Sequence, residues 1–300
     1  MSHIIMLTGA DGQLGFELQR ALAPLGRVVA LGRRQCDLAD EVGLRSCVQQ
    51  VQPSIIVNAA AYTAVDRAES EPELAYAVNA TAPRILAEEA SRTGAALLHY
   101  STDYVFDGSA ISPYTESDVT APLGIYGASK LQGEREIEAV GAKHWIFRTS
   151  WVYGLHGSNF LKTMLRLSRQ RESLAVVADQ WGAPTSAALL ADVSTLLLRD
   201  DCRGVAVEQG IYHVAAAGCI NWHGYAQHVI ARAAARNWAV KVSADAVSAI
   251  PSSAYPTPAR RPLSSRLDCR RIEQALGIAL PDWSFSVDQV TDVLMESHAL

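Results

Sequence analysis

The chain has 300 residues, enough for one large domain or two modest ones. Hydrophobic residues make up 49% and charged residues 19%, which is typical of a globular protein with a sizeable core, and the formal charge of −5 argues against a nucleic-acid surface. No apolar run approaches the roughly 20 residues that cross a bilayer, and the amino terminus lacks the pattern of a signal peptide. Five scattered cysteines without a CxxC pair are typical of reduced thiols. We therefore expect no membrane partner and a cytoplasmic location.

Short β-branched runs alternate with helical patterns through the first half of the chain. Strands are predicted in "HIIML", "RVVAL", "SIIVNAA", "AALLHYS" and "HWIFRTS". Helices are predicted in "LGFELQRALAPLG", around 41–51, within 73–92 and at about 126–140. This alternation predicts an α/β fold with a doubly wound parallel sheet of the Rossmann type. We expect this domain to cover residues 1–150. A smaller mixed α/β substrate lobe would cover residues 151–300, with strands and helices exchanged between the two in space.

A glycine-rich turn, "TGADGQLG", follows the first strand and opens the first helix. Gly9 permits a tight turn, Gly12 lets the backbone approach a pyrophosphate, and Gly15 lets the helix pack on the strand. In this context the triplet predicts that residues 1–150 bind NAD(P), and an ordinary strand-to-helix turn is the alternative. The GxxGxxG spacing differs from the GxGxxG of ordinary dehydrogenases and indicates another branch of the Rossmann class.

The second strand ends in "LGRRQCDL". An acidic residue here would bind the ribose 2′-hydroxyl of NAD, whereas Arg33 and Arg34 suit the 2′-phosphate of NADP. Asp37 and Leu38 would contact the adenine edge. We therefore expect NADPH, with NADH as the second candidate. The alternative is a pair of solvated arginines on a loop.

Polar side chains interrupt the buried-looking strand "LHYSTDYVFDG" at 101–104. Unpaired buried hydroxyls cost roughly 1–3 kcal/mol each, so either a turn begins here or the strand end faces a ligand. Downstream, "YGASK" places Tyr126 and Lys130 on one helix face, where the ammonium would lower the pKa of the phenol. Alone this spacing is typical of an exposed pair. With the glycine-rich turn, and with Thr102 at a strand end, it predicts a site for proton transfer to a carbonyl.

These residues resemble the extended short-chain dehydrogenases/reductases. Within them, six segments are similar to the dTDP-4-dehydrorhamnose reductase family, over about residues 4–285: "VNAAAYTAVDRAE", "HYSTDYVFDG", "PLGIYGASK", "FRTSWVYG", "ADQWGAPTS" and "ARRPLSSRLD". The resemblance implies NAD(P)H-dependent reduction of the 4-keto group of dTDP-4-dehydro-L-rhamnose, the last step of dTDP-L-rhamnose synthesis.

The resemblance also implies roles for individual residues. Tyr126 would donate the proton, Lys130 would orient the nicotinamide ribose and tune Tyr126, and Thr102 would polarise the ketone. Besides the three glycines and the arginines, the cofactor would be lined by Asp11, Gln13, Leu14, Ala60, Ala61, Tyr62 and Thr63. The dTDP-sugar would contact Asp103, Trp151, Asn159, Arg260 and Arg261. Guanidinium groups bind phosphate in bidentate fashion, although an ordinary basic loop is the alternative for the arginine pair, as a core position is for Trp151.

No HExxH motif or Cys/His cluster predicts a metal site. The resemblance also raises the question of Mg²⁺, which some family members hold between subunits with acidic helix residues. Here Ala188 stands at a Glu position, although Glu17 and Asp192 are present, which argues against a metal-bridged dimer. The sequence leaves a homodimer open as the assembly.

The sequence also allows two other functions. A non-catalytic regulatory relative would typically lose the Tyr or the Lys, and both are present. A sugar-nucleotide epimerase or dehydratase would share the fold, but a dehydratase needs an acid/base pair, and Asp103 is not followed by Glu. His99, on a predicted strand, is typical of a buried histidine with satisfied hydrogen bonds rather than of a base.

Overall fold

The computed structural model describes residues 3–297; residues 1, 2 and 298–300, at the outer ends of the two predicted domains, lie outside the described part. The strands are β1 His3–Thr8, β2 Gly26–Leu31, β3 Ile55–Asn58, β4 Ala96–Thr102, β5 His144–Thr149, β6 Val152–Tyr153, β7 Leu174–Val177, β8 Trp181–Gly182, β9 Thr185–Ser186, β10 Gly210–His213, β11 Ile220–Asn221 and β12 Val247–Ile250. The helices are α1 Gln13–Leu22, α2 Glu41–Val51, α3 Val65–Ala68, α4 Pro72–Tyr76, α5 Ala82–Thr93, α6 Ile125–Val140, α7 Phe160–Gln170, α8 Ala187–Cys202, α9 Trp222–Ala235, α10 Arg270–Leu276 and α11 Trp283–Glu296.

A parallel sheet of six strands forms the centre, in the order β10-β5-β4-β3-β1-β2. The apolar runs are buried because helices cover both faces of the sheet. Leu18 of α1 and Leu190 of α8 pack on one face, and Val48 of α2 and Ile85 of α5 pack on the other. Continuous apolar strands between amphipathic helices are what a doubly wound sheet requires. The predicted Rossmann-type fold is confirmed.

The carboxyl-terminal half contributes to two cores. One is its own, in which α7, α9 and α11 pack around residues such as Leu165, Val229 and Val287. The other is the central sheet, because β10 is its edge strand and α8 packs against α1. Elements from beyond residue 150 therefore complete the sheet, and the division at residue 150 stays a prediction.

The helix expected within 73–92 is interrupted. A π-helical segment, Ala77–Thr81, joins α4 to α5 and turns Asn79 into the interior. Such segments often occur at functional sites. Within residues 3–297 no helix is both long enough and apolar enough to cross a bilayer.

Candidate active site

A cavity of about 730 Å³ opens at the carboxyl edge of the sheet, where β1, β3 and β4 end. In open parallel sheets this edge is where ligands bind. Three buried side-chain oxygens on its wall, Ser101 Oγ, Asp103 Oδ2 and Thr149 Oγ1, have no hydrogen-bond partner among the described residues. Buried polar atoms are normally paired, so this wall is built for a polar ligand.

The glycine-rich turn forms one end of the cavity. Gly9 has φ +72°, and a Cβ there would lie 2.7 Å from the backbone nitrogen of Ala60. A Cβ on Gly15 would lie 2.0 Å from the carbonyl oxygen of Gly9, so Gly15 packs the helix on the turn rather than facing the cavity. No side chain caps α1, whose N-cap is Gly12. Its first-turn N–H groups can therefore bind an anion, as dinucleotide sites require. Asp11, Gln13 and Leu14 line the cavity here.

The end of β2 lies beside this turn. Arg33, Asp37 and Leu38 line the cavity, with Arg33 Nε 3.6 Å from Asp37 Oδ2. Arg34 is exposed and is not part of the cavity wall. The structure thus brings one of the two predicted arginines to the site.

The segment after β3, comprising Ala60, Ala61, Tyr62 and Thr63, also lines the cavity. Asn79 of the π-helical segment holds it in place, because its side chain accepts from the Tyr62 backbone N–H at 2.8 Å and donates to the Tyr62 carbonyl at 3.1 Å. Asn79 Nδ2 also reaches Ser129 Oγ of α6 at 3.1 Å. The buried Asn79 side chain thereby fixes the segment 60–63 relative to α6, the helix that carries Tyr126.

Thr102, Tyr126 and Lys130 meet at the other end of the cavity. Thr102 ends β4; its hydroxyl donates to Asp103 Oδ1 at 3.1 Å and is hydrogen-bonded to Tyr126. Tyr126 and Lys130 lie one turn apart on α6, and Lys130 Nζ donates to the Tyr100 carbonyl at 2.6 Å. A hydroxyl, a phenol and an amine therefore line the same end of the cavity.

Burial controls the proton affinities of these groups. It lowers the pKa of Lys130 to about 8, although the Glu134 carboxylate opposes the shift. Burial also raises the pKa of the Tyr126 phenol, and its hydrogen bond with Thr102 opposes the shift. The predicted lowering of this pKa by the Lys130 ammonium is therefore wrong for the described structure, because loss of hydration dominates. The Tyr126 phenol is therefore protonated at neutral pH and can act as a proton donor. Once it has lost its proton, the charged form of Lys130 can stabilise the resulting phenolate.

An acidic side chain caps α6 from outside the helix. Its N-cap, Gly124, has no side chain, and Glu69 Oε1 accepts from the Ile125 backbone N–H at 2.8 Å instead. A carboxylate at a helix N-terminus is favourable to the helix dipole. Glu69 therefore fixes the first turn, which carries Tyr126.

Asp103 is the most perturbed carboxyl in the site. Burial raises its pKa to about 6, and the hydroxyls of Ser265 and Thr102 oppose the shift. With 3% of its surface exposed, it lies beside Thr102 at the cavity wall. The Asp103 carboxylate has too few hydrogen-bond donors to compensate for its burial, so it lowers the stability of the fold. Such a cost is expected where a residue is kept for function.

Asp103→Asn should therefore stabilise the protein at neutral pH. Between the ordinary pKa of 3.8 and about 6 the folded state binds the proton and the unfolded state does not, so the stability of the parent falls as pH rises through this window. Asn has no charge to bury, and we expect its advantage to grow to about 2–3 kcal/mol above the window. Urea unfolding at a series of pH values measures this difference.

Asp107→Asn is the matched control. Hydrogen bonds from the Ser109 backbone, Tyr114 and the Ser109 hydroxyl hold the pKa of Asp107 below its ordinary value, so its contribution to stability is present at neutral pH and is lost on acidification. Its Asn variant should be destabilised at neutral pH, opposite in sign to the variant at Asp103. A pH-independent difference for Asp103→Asn would contradict the account of its pKa.

Two tryptophans form an aromatic wall of the cavity. Trp151 has φ +49°, a left-handed conformation that is rare for a bulky residue, and its ring stacks on Trp222 with centroids 3.6 Å apart. A Cβ on Gly182 would lie 2.8 Å from the Trp151 ring. Strain of this kind persists only where the surroundings enforce it, and it is common at functional sites.

The remaining predicted substrate residues lie outside the cavity wall. Asn159 caps α7, and its amide donates to Gln13 Oε1 at 2.9 Å and to the Gly154 carbonyl at 2.8 Å, so it ties a loop of the second half to the glycine-rich turn. Arg260 is exposed. Arg261 Nη2 lies 2.9 Å from Asp66 Oδ2, and its guanidinium is hydrogen-bonded to the hydroxyl of Tyr104, which does line the cavity.

Several residues of the site were missed from the sequence. Trp222 opens α9 far along the chain, and Asn79 lies in a helical pattern that gives no sign of a π-helical segment. Tyr104, whose ring meets that of Tyr126 edge-on with centroids 5.4 Å apart, follows directly after Thr102 and Asp103. Tyr104 belongs to the polar stretch 101–104, and this was the feature of the sequence that could have identified it.

Glu17 and Asp192, the acidic residues considered for Mg²⁺, both lie near Arg20, at 3.7 and 3.8 Å. The cation beside them in the described structure is thus a guanidinium. The expectation that no metal bridges two subunits stays a prediction.

The fold and the site together define a class. A Rossmann-type sheet that brings a threonine, a tyrosine and a lysine to a cavity beside a GxxGxxG turn has the arrangement of the extended short-chain dehydrogenases/reductases. A family model described as "RmlD substrate binding domain" matches residues 2–296.

Comparison with known proteins narrows the class. The chain is 46% identical to the dTDP-4-dehydrorhamnose reductase of Shigella flexneri over 300 residues, 99% of each chain. Its structure is similar to that of a dTDP-4-dehydrorhamnose reductase from Clostridium acetobutylicum, with a TM-score of 0.89, 35% identity and coverage of 97% of this chain and 99% of that one. The Bacillus anthracis dTDP-4-dehydrorhamnose reductase in complex with NADP gives a TM-score of 0.87 at 34% identity, covering 98% and 100%. The chain therefore belongs to the dTDP-4-dehydrorhamnose reductase family, as its motifs indicated.

Proposed function

We propose that the chain reduces the 4-keto group of dTDP-4-dehydro-L-rhamnose to give dTDP-L-rhamnose, with NADPH as reductant. The observation that carries the proposal is the convergence of Thr102, Tyr126 and Lys130 on a cavity that continues to the glycine-rich turn. Membership of the family supports the substrate.

The residues present fit the cofactor. The uncapped first turn of α1 would bind the pyrophosphate, and Arg33 would bind the 2′-phosphate. The segment 60–63, which Asn79 holds in place, would contact the middle of the cofactor. When bound, NADPH supplies the hydride. Lys130, with 1% of its surface exposed, would direct its ammonium at the nicotinamide ribose.

The proton comes from the protein. Tyr126 donates its phenolic proton to the keto oxygen, and the Thr102 hydroxyl donates a hydrogen bond to the same oxygen. The Lys130 ammonium stabilises the tyrosinate that remains. Asp103 Oδ2, buried without a partner among the described residues, would accept from a sugar hydroxyl, and the Trp151–Trp222 wall would pack against the ring.

Cofactor choice is the first test of this placement. We expect NADPH to bind more tightly than NADH, and Arg33→Ala to reduce NADPH affinity by roughly one to two decades through loss of charge-assisted hydrogen bonds. Arg34→Ala is the matched control, because Arg34 does not line the cavity, and it should change affinity little. Calorimetric titration of both cofactors measures this. Equal affinities in the parent would show that neither arginine reads the 2′-phosphate.

We propose Arg260 and Arg261 as the residues that bind the diphosphate of the sugar nucleotide. It brings negative charge to a protein of net charge −5, so local cations must offset the repulsion. Arg261 is suitably held at the edge of the cavity by Asp66 and Tyr104.

Arg261→Ala should raise the KM for the dTDP-sugar by roughly 10–100-fold, leave kcat nearly unchanged, and barely affect NADPH. Arg261→Lys should restore binding only in part, since an ammonium lacks the bidentate fork. Arg270→Ala, which removes an exposed arginine paired with Asp268, is the control. If Arg261→Ala instead raises the KM for NADPH, the loop of Arg261 binds the cofactor, and the proposed site for the diphosphate is wrong.

A stoichiometric assay tests the reaction itself. One NADPH should be oxidised for each dTDP-4-dehydro-L-rhamnose consumed. An epimerase would convert the sugar without net oxidation, and a regulatory relative would do neither. Either result would refute the proposal.

Two further assignments belong to the proposal. All five cysteines are free thiols, which supports a cytoplasmic location, where thiols are kept reduced. A homodimer is the assembly we propose, to be tested by light scattering.

A further inference from the structure

A line of buried polar side chains runs from Lys130 across three strands of the sheet. Lys130 Nζ lies 3.1 Å from His99 Nε2 on β4, and His99 Nδ1 lies 3.0 Å from Asn58 Nδ2 on β3. Asn58 Oδ1 accepts from Thr8 Oγ1 on β1 at 2.7 Å. None of these four side chains is more than 1% exposed. The network ends at Lys130, which supplies the amine among the three proposed catalytic residues.

The charges around this network are few. Burial, reinforced by the charge of Lys130, holds the pKa of His99 well below its ordinary value, so the imidazole is neutral. Among the described residues, the Glu134 carboxylate of α6 acts on Lys130 and is itself paired with Arg148 of β5, while Tyr126 and Asp103 line the same cavity as Lys130. The phenol of Tyr100 points away, to Ser194 Oγ at 2.6 Å.

Proton counting links the members of the network. A neutral imidazole has one N–H. If Lys130 is an ammonium, His99 Nε2 must accept, so Nδ1 carries the proton and needs the side-chain oxygen of Asn58. In the structure Asn58 Nδ2 faces His99 Nδ1, and with that orientation Nδ1 accepts, Nε2 donates, and Lys130 is a neutral amine. Turning the Asn58 amide by 180° gives the ammonium form, with the Asn58 oxygen accepting from His99 Nδ1 and Nδ2 donating to Thr8 Oγ1. The charge of Lys130, the tautomer of His99 and the orientation of Asn58 therefore change together.

We propose that His99 is a positioning residue for the reaction: in the active form the Asn58 amide oxygen faces His99 Nδ1, and His99 Nε2 accepts a hydrogen bond from the Lys130 ammonium, so that this group stays charged beside Tyr126 and the nicotinamide ribose. The inference rests on the reductase function proposed above. Two of the three ammonium donors are then held by β4, one by the His99 ring and one by the Tyr100 carbonyl. The third is free to serve the site.

His99→Phe removes the acceptor and keeps an aromatic ring in the core. A hydrogen bond to a charged group favours the charged form, so its loss should lower the pKa of Lys130. We expect the alkaline limb of the kcat profile to move down by about one pH unit, which is a loss of about tenfold in kcat above it. The KM for the dTDP-sugar should change little.

His99→Gln supplies an acceptor at the position of Nε2 and keeps the proposal testable if the phenylalanine variant does not fold. Its alkaline limb should return most of the way to that of the parent. His213→Phe is the matched control: His213 is a buried histidine of the same sheet, on β10, with Nδ1 3.0 Å from the Tyr114 carbonyl. His213→Phe should leave the alkaline limb of the kcat profile at the same pH as in the parent.

A second readout does not need turnover. The affinity for NADPH, followed by its fluorescence in the absence of sugar, should fall as pH rises through the pKa of Lys130, and the midpoint should be lower in His99→Phe than in the parent. If the parent does not reduce the dTDP-sugar, the proposed function fails while this titration still reports on His99.

Three results would overturn the inference. In the first, His99→Phe melts at a lower temperature but keeps the alkaline limb and the binding midpoint of the parent, which is a purely structural role. In the second, His99→Gln shifts the limb as far as His99→Phe. In the third, His213→Phe shifts the limb equally.

Discussion

Tyr126→Phe should reduce kcat by about 10²–10⁴-fold, the usual contribution of general acid catalysis. Tyr126 is the group at this end of the cavity that we expect to give up a proton, since Thr102 is too weak an acid, Lys130 donates to the Tyr100 carbonyl on β4, and Asp103 is a carboxylate above its raised pKa of about 6. The ring itself remains, so its edge contact with Tyr104 and the fold should persist. Single-turnover oxidation of NADPH by the variant measures the effect.

Affinity for NADPH separates lost chemistry from lost binding, and it should be nearly unchanged in Tyr126→Phe. Tyr114→Phe is the control, since Tyr114 donates to Asp107 at 2.7 Å and does not line the cavity. Activity within a factor of about two of the parent in folded Tyr126→Phe would remove the proton-donor role, because general acids contribute far more than this.

Glu134→Ala should destabilise the fold by roughly 3–5 kcal/mol, the usual result of removing one partner of a buried ion pair. Glu134 on α6 and Arg148 on β5 are 1% and 2% exposed, and Arg148 donates to both carboxylate oxygens at 2.6–3.2 Å. Alanine leaves the guanidinium buried and unpaired. The free energy of unfolding in urea measures the loss, and Lys130, one turn away, makes reduced activity a second consequence.

Two variants sharpen this test. Glu138→Ala, at an exposed position of the same helix, should change stability by no more than about 0.5 kcal/mol. The double variant Glu134→Leu/Arg148→Met removes both charges and should recover most of the stability, since burying apolar groups avoids the desolvation penalty. A double variant no more stable than Glu134→Ala would show that lost packing, and not an unpaired charge, causes the effect.

The chemistry could be predicted from the sequence where it depends on local spacing. Tyr126 and Lys130 share a helix, Thr102 ends an apolar strand, and the glycines lie in one turn, so each signal is contained in a few neighbouring residues. The carboxyl-edge rule for parallel sheets then predicts that these segments meet.

Contacts between distant segments could not be predicted in this way. His99 was interpreted as an ordinary buried histidine because nothing on its own strand indicates Lys130 as its partner. β10, a strand of four residues, joins the sheet only because α8 carries the chain back across α1. The family resemblance implies a substrate role for Arg261, but its pairing with Asp66, almost two hundred residues away, depends on the packing of the whole second half.

Transfer of deuterium from NADPH to the sugar tests the proposed reaction most directly. With NADPH carrying deuterium at both C4 positions of the nicotinamide and dTDP-4-dehydro-L-rhamnose as substrate, one deuterium should appear at C4 of the product sugar, with one NADP⁺ formed per dTDP-L-rhamnose. Mass spectrometry and proton NMR of the purified product locate it. Product that forms without label at C4, or label that stays in the cofactor while the sugar is converted, would contradict hydride transfer to the 4-keto group.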